Sequence, residues 1–266
     1  MMAPSARRVT QNWAYFDPMA YLDEYYADLG GENLGLLEFL AEIWARLPKG
    51  GVMLDFGGGP AIYTLISAAA RVDEIHFADY LETNLDEVRR WLADEPLAFD
   101  WDDFIRKALE LESGGTCSDQ DIDRRAREIR ECVTRVMSCD ASRTPPIERP
   151  HRMYDVVSTS FCAESATSDR AQWQAYMANI VSVLKPGGWL VMSALEGATR
   201  YSVGPHAFPA VDVSAQDLLD VLEQIGFPRS GIELRSIPAD RPSRDYAGLM
   251  VAVAAKAGGP ARRSAR

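Results

Sequence analysis

Cysteine, histidine and basic residues are all scarce in this chain, and each scarcity removes a class of function. Four cysteines (Cys117, Cys132, Cys139, Cys162) occur without a Cys-x-x-Cys pair, and three histidines (His76, His151, His206) stand isolated. That spacing supports neither a zinc site nor a disulfide framework, so no metal is expected. Lysine and arginine total 28 against 39 acidic residues, a formal charge of −11. Nucleic-acid binding rests on a basic footprint, and none is expected here. The one cationic cluster, Arg124, Arg125, Arg127 and Arg130, alternates with Asp121, Asp123, Glu128 and Glu131, the pattern of a solvated helix face. No apolar run approaches the roughly 20 residues that cross a bilayer. Met1 to Thr10 also lacks the apolar segment of a secretory signal. A cytoplasmic protein without membrane or nucleic-acid partners is the expectation.

What is present is an ordinary globular composition, 47% hydrophobic over 266 residues, enough for one α/β domain. Residues 1–12 and 257–266 read as disordered tails around a single domain over 13–256, whose first part, 13–47, forms an N-terminal helical lid. Asp17 as N-cap and Pro18 at the first helical position start a helix in a segment carrying six aromatics between Trp13 and Tyr26. Those rings either pack the helix onto the domain or form a cover over a ligand. Apolar residues at helical spacing predict a second helix over Leu34–Leu47, ended by Pro48-Lys49-Gly50-Gly51. Further helices are predicted at Ile62–Ala70, Asn84–Leu92, Glu95–Glu112, Asp119–Val133, Gln172–Leu184 and Ser214–Ile225. Strands are predicted at Val52–Leu54, Glu74–Asp79, Thr134–Ser138, Tyr154–Phe161, Trp189–Ala194, Ile232–Ile237 and Gly248–Ala255, with a loop between Ala194 and Ser214. This alternation predicts a doubly wound, mostly parallel, Rossmann-like seven-stranded sheet with an antiparallel edge hairpin.

The chain is organised around Val52-Met53-Leu54-Asp55-Phe56-Gly57-Gly58-Gly59-Pro60, a short apolar strand running into an acidic residue and three glycines. Glycines let the backbone turn sharply and approach a ligand closely. A dinucleotide fingerprint would need a third spaced glycine where Ile62 stands, and a phosphate loop would need Gly-Lys-Ser/Thr. The remaining reading is the acidic-x-glycine loop that binds S-adenosyl-L-methionine, with Asp79 at the next strand end, about 20 residues on, holding the ribose hydroxyls.

Four segments read together carry a closer resemblance: Asp55 to Pro60, Asp79-Tyr80-Leu81-Glu82-Thr83-Asn84, Trp91 to Trp101 with its Glu-Pro-Leu-Ala-Phe-Asp-Trp, and Leu184-Lys185-Pro186-Gly187-Gly188. With the Phe16 to Tyr26 pattern they make the chain resemble the nicotinamide, phenylethanolamine and indolethylamine N-methyltransferases, from about Tyr15 to Ala255. The resemblance implies a class I methyltransferase fold and a small-molecule substrate, with S-adenosyl-L-methionine as methyl donor. It implies that Tyr21 and Tyr26 belong to the cover, which favours the lid reading. Tyr63 and the Gly57–Gly59 backbone would contact the donor's amino-acid end. Asp79 would hold the ribose, Asn84 would sit beside the donor, and Asp140 and Ala141 would flank the adenine. Asp55, Tyr80 and Ser160 complete the expected donor shell. Tyr21 and Glu164 are the candidate catalytic residues, and Tyr21, Phe161, Glu164, Glu196 and Tyr201 the candidate acceptor contacts. A monomer or weak dimer is expected.

The departures fall on the acceptor side. Phe161-Cys162-Ala163-Glu164 matches the stretch where the phenylethanolamine enzymes place a pocket Phe and an amine-binding Glu. Ala198 falls where relatives carry a substrate-binding Glu or Ser, and Ala210 where the nicotinamide enzymes have a Ser, which argues against nicotinamide itself. Glu196 replaces the missing loop carboxylate only if the loop's extra residue shifts it inward. The rivals to N-methylation are methyl transfer to carbon or oxygen of an aromatic metabolite, a binding protein without turnover, and a dehydrogenase on the same topology.

Overall fold

A computed structural model describes residues 9–10, 12–148, 153–240 and 245–258. The expected tails fall largely outside the described residues. Val9 and Thr10 are described, however, and pair with Ala207: Val9 in a parallel bridge, Thr10 through its N–H to the Ala207 carbonyl at 2.8 Å.

The helices are α1 (Pro18–Tyr25), α2 (Gly30–Arg46), α3 (Tyr63–Ala68), α4 (Glu82–Leu92), α5 (Asp102–Ser113), α6 (Asp119–Cys132), α7 (Arg170–Val181) and α8 (Ala215–Gln224). The strands are β1 (Val52–Phe56), β2 (Glu74–Asp79), β3 (Val133–Ser138), β4 (Tyr154–Ser160), β5 (Leu184–Glu196), β6 (Arg200–Val203), β7 (His206–Pro209), β8 (Ile232–Pro238) and β9 (Gly248–Ala255). Local chemistry explains several starts. Asp17 accepts from the N–H groups of Met19 and Ala20, with Pro18 at the first turn, and Ser118–Asp121 and Ser214–Asp217 form capping boxes at α6 and α8.

The main sheet runs β3-β2-β1-β4-β5-β9-β8, parallel from β3 to β5 and antiparallel at β5–β9 and β9–β8. Strand residues alternate between two cores. Met53, Phe77, Val156, Val191 and Val251 face the layer of α2 to α6, while Leu54, Ala78, Val157, Met192 and Ala252 face that of α7 and α8. Burial on both faces is why these strands read as continuous apolar runs. The strand order reverses between β1 and β4, which is where such sheets open a crevice at their carboxyl ends.

Two predictions are corrected. The helix expected over Glu95–Glu112 begins only at Asp102, because Asp94 takes φ 57°, and residues 93–101 turn back so that the Phe99 N–H reaches Glu87 Oε1 at 3.1 Å. The loop expected between Ala194 and Ser214 contains the β6–β7 hairpin. Its partners are the aromatic N-terminal segment: Trp13 stacks on Phe208 at 5.1 Å and Tyr15 on His206 at 4.9 Å. Tyr25 Oη donates to the Ser202 carbonyl at 2.9 Å. The cover over the sheet edge is thus made of two pieces, α1 with the preceding turn and the hairpin.

Candidate active site

At the end of β1 the chain turns through Gly57 (φ 69°) and Gly59 (φ 64°), a backbone region that disfavours a side chain. The N–H groups of Gly57 and Gly58 donate to the Ala78 carbonyl at 2.8 and 3.2 Å, tying the loop to β2. Each glycine is small for a separate reason. A Cβ at Gly57 would stand 2.2 Å from Cys162 Sγ, and one at Gly58 2.5 Å from the Phe77 ring. At Gly59 nothing lies within 4 Å, since that side faces open cavity.

Asp79 closes the other side of this cradle. Its Oδ2 accepts from Gly59 N–H at 2.9 Å, and its Oδ1 accepts from Leu81 N–H at 2.8 Å and Asn84 Nδ2 at 2.9 Å. Burial raises the Asp79 pKa, and the hydrogen bonds from Leu81, Asn84 and Gly59 oppose that rise. Three fixed donors orient a carboxylate that still has lone pairs for a vicinal diol.

A cavity of about 290 Å³ runs along the carboxyl edge of the sheet from this cradle. It gathers most of the residues singled out in the sequence: Tyr21, Tyr26, Gly57, Gly58, Gly59, Tyr63, Asp79, Tyr80, Asn84, Asp140, Ala141, Ser160, Phe161 and Tyr201 all line it. Its aromatic side is built by packing. Tyr26 stacks on Tyr63 at 5.4 Å, and Tyr21 meets Tyr25 at 5.0 Å and Tyr26 at 5.8 Å. Burial pushes the Tyr63 phenol up to about 12 and raises the Tyr21 phenol too, so neither is an acid near neutral pH. Phe161 holds φ 51°, a costly angle for a bulky residue, and turns its ring into the wall as β4 ends.

Three expected contacts are placed elsewhere. Asp55 lies fully buried beneath the loop, its Oδ2 accepting from Thr64 Oγ1 at 2.8 Å, and burial pushes its pKa up to about 6. Glu164 is also absent from the cavity wall; its Oε1 accepts from Leu195 N–H at 3.0 Å and its carbonyl from Val211 N–H at 2.8 Å. This carboxylate ties the exits of β4 and β5 together, and burial pushes it up to about 7. Glu196 ends β5 opposite Gly248, and its side chain is not part of the wall. Glu196 is thus not carried into the cavity.

The wall also contains residues that no motif marked: Tyr25, Glu32, Asn33, Leu36, Tyr246 and Leu249. Glu32 sits in the first turn of α2, and Tyr246 just ahead of β9. An acidic residue in a first helical turn is commonplace, so the sequence held no signal for it.

Among the buried polar atoms of the wall, Tyr63 Oη and Asn84 Oδ1 have no protein hydrogen-bond partner. Orphaned buried groups are costly, and here they flank the glycine cradle and Asp79. A ligand with an amino-acid end and a ribose would satisfy them. The residues present therefore fit S-adenosyl-L-methionine. Among the described residues no group of three or more His, Cys, Asp or Glu is placed to hold a metal ion.

The sequence profile of the NNMT/PNMT/TEMT family matches residues 6–257. The chain belongs to that family. Human phenylethanolamine N-methyltransferase is 30% identical over 269 residues, covering 96% of this chain and 94% of the relative. Mouse indolethylamine N-methyltransferase is 32% identical, covering 79% and 81%. Human nicotinamide N-methyltransferase is 27% identical, covering 93% and 95%. Among solved structures, the DhpI complex with S-adenosylhomocysteine superposes with a TM-score of 0.56 at 14% identity, over 96% of this chain and 99% of that one. A 1,6-didemethyltoxoflavin-N1-methyltransferase from Burkholderia thailandensis gives 0.53 at 18%, over 97% and 93%. The fold is that of class I methyltransferases. As a member of the NNMT/PNMT/TEMT family this protein is a methyltransferase that uses S-adenosyl-L-methionine. Among the described residues no helix is long and apolar enough to cross a membrane.

Proposed function

We propose that the protein methylates the nitrogen of a small amine or aza-aromatic acceptor. The observation that carries this reading is one continuous cavity joining two unlike surfaces: the glycine–Asp79 cradle and, beyond Phe161, a chamber walled by tyrosines. S-adenosyl-L-methionine, when bound, supplies a sulfonium methyl group that passes to the acceptor as the C–S bond breaks and sulfur keeps the electron pair. The Gly57–Gly59 backbone, Tyr63 and Asp79 would hold the donor, with Asn84, Tyr80, Asp140, Ala141 and Ser160 around it. Asp55 would act from below, by fixing the loop. The main catalytic contribution of these residues is positioning, and collinear alignment of nucleophile and methyl is worth up to ~7–11 kcal/mol.

The acceptor's lone pair forms the new N–C bond, so a protonated amine must first give up a proton. Tyr21, Tyr201 and Phe161 would orient that nitrogen. Glu164, pushed up to about 7, has the matching affinity to take the proton. From its place behind the wall it would do so through a water. The acceptor is a small molecule rather than a nucleic acid, in keeping with a formal charge of −11. All four cysteines are free, as expected of a reducing compartment such as the cytoplasm. The reading includes a monomer or weak dimer.

The test is a panel of amines, pyridines, indoles and phenols with isotopically labelled methyl donor, read by product mass and the position of the label. Label on nitrogen is the expected outcome. Label on carbon or oxygen alone would replace this reading with the corresponding C- or O-methyltransferase.

A further inference from the structure

The donor end of the cavity has a wall supplied by a helix outside the sequence motifs. Tyr176, on α7, lines it together with Tyr80, Asp140, Ala141 and Ser142. α7 packs on the sheet face opposite the layer of α2 to α6. An anchor brings it to the cavity: Asn179, three residues after Tyr176 and so on the same helix face. Its Nδ2 donates to the Ala141 carbonyl at 2.8 Å, and its Oδ1 accepts from Thr144 Oγ1 at 2.8 Å. The turn after β3 is thereby pinned to α7, and Tyr176 is held beside Asp140 and Ala141.

Tyr176 is not placed there by the core. Trp173, Met177, Ile180 and Val181 form the buried stripe of α7, and Tyr176 stands at its margin, only half-buried. Hydrogen bonding does not hold it either. Its Oη reaches Gln172 Oε1 at a long 3.4 Å, and that oxygen already accepts from Thr167 Oγ1 at 2.9 Å. The phenol pKa is raised, first by burial and then by Asp140, Asp169 and Tyr80, so Asp140 and Tyr80 lie within its electrostatic reach. Tyr80 directly follows Asp79 and leaves its own ring 59% exposed. Two incompletely buried rings, from separate elements, therefore edge the part of the cavity where Asp140 and Ala141 stand. Such rings gain most from a flat π-system laid against them. With the donor's amino-acid end at the glycine turn and its ribose at Asp79, the group that extends to this place is the base.

We propose that Tyr176 is a binding residue for the methyl donor, its ring stacking on the adenine beside Asp140 and Ala141. The inference rests on the donor placement given under the proposed function. It adds a side chain from α7 to a donor end otherwise built around the glycine turn and Asp79.

The test is calorimetry with S-adenosylhomocysteine on the full chain and on Tyr176→Phe, Tyr176→Leu and Tyr176→Ala. The position is a half-buried one on a helix, and Leu and Ala are good helix formers, so the ligand-free variants should melt close to wild type. Tyr176→Ala should weaken binding roughly fivefold or more, as loss of a base–aromatic stack does. Tyr176→Phe should keep wild-type affinity, because the ring and not the hydroxyl makes the contact. Tyr176→Leu, apolar but not aromatic, should fall between them. S-ribosylhomocysteine, which lacks the base, should bind wild type and Tyr176→Ala equally. Wild-type affinity for S-adenosylhomocysteine in Tyr176→Ala, a loss in Tyr176→Phe as large as in Tyr176→Ala, or an equal loss for S-ribosylhomocysteine overturns the proposal. Failure of wild type to bind S-adenosylhomocysteine would overturn the donor site itself, a separate outcome.

Discussion

The two ends of the cavity are built by different means. The donor end is made of backbone: a glycine turn, two N–H groups fixed on the Ala78 carbonyl, and one carboxylate whose three donors lie on Gly59, Leu81 and Asn84. The acceptor end is made of side chains brought from α1, α2, β4, β6 and β9, held by ring stacking and long-range hydrogen bonds. Backbone geometry tolerates little change, whereas a wall of side chains can be recut by substitution without disturbing the sheet. A shared methyl donor with divergent acceptors requires that division.

Both ends share one liability, a buried acid, and its effect on stability should be the largest. Asp55 at the donor end is pushed up to about 6, and Glu164 at the acceptor end up to about 7. In the unfolded chain both titrate near 4. Below that pH both states carry the proton and the stabilising contribution is complete; it is lost as pH rises through the folded pKa values. Stability of the ligand-free protein should therefore fall between pH 5 and pH 8, by on the order of 2–4 kcal/mol for the pair. Thermal melts across that range check it, and Glu164→Gln and Asp55→Asn should each flatten part of the slope. A flat profile in the wild type would show that the two ends are not destabilised by their buried acids.

A methyl group added to the cradle should separate backbone from side-chain construction. Gly58→Ala places a Cβ 2.5 Å from the Phe77 ring and 2.8 Å from Asp55 Oδ2, an overpacking that costs about 1–3 kcal/mol of stability. Gly59→Ala meets no atom within 4 Å, so the melt should show only the strained φ, about 1–2 kcal/mol, while the methyl intruding on the cradle should show in donor affinity.

Asp79→Ala should weaken S-adenosylhomocysteine binding at least tenfold, about 1.4 kcal/mol or more. Unchanged affinity by calorimetry would remove Asp79 from the donor site. Tyr63→Phe is the smaller and sharper case. Its hydroxyl has no protein partner, so the change should leave stability almost untouched while costing about 1 kcal/mol in donor affinity.

Legibility in the sequence follows the same divide. Gly57 and Asp79 could be placed side by side because a strand, a turn and the next strand end are adjacent in the chain and their spacing is set by backbone geometry. The alternation of strands and helices indicated the mostly parallel sheet and its antiparallel edge for the same reason. Glu32 and Tyr246 could not be read, since 214 residues separate them and only the packing of α2 against β9 brings them together. Glu164 shows the converse case, a motif that is legible where the direction of its side chain is not. Its local context matched a ligand-binding pattern, but a side chain's direction depends on what lies behind it, here the N–H of Leu195. The β6–β7 hairpin escaped notice because four-residue strands around Gly204-Pro205 carry too little periodicity to separate from a loop.

The carboxylates among the cavity's described lining residues have a consequence for turnover. Methyl transfer removes the positive charge from the donor's sulfur and leaves one on the acceptor's nitrogen. In a chamber whose described walls hold carboxylates and no basic side chain, the spent donor loses an electrostatic reason to stay while the methylated acceptor keeps one. The thioether product is then the weaker inhibitor at low ionic strength. Salt, which screens the carboxylates, should narrow the gap between the two products and shift the release order toward the amine.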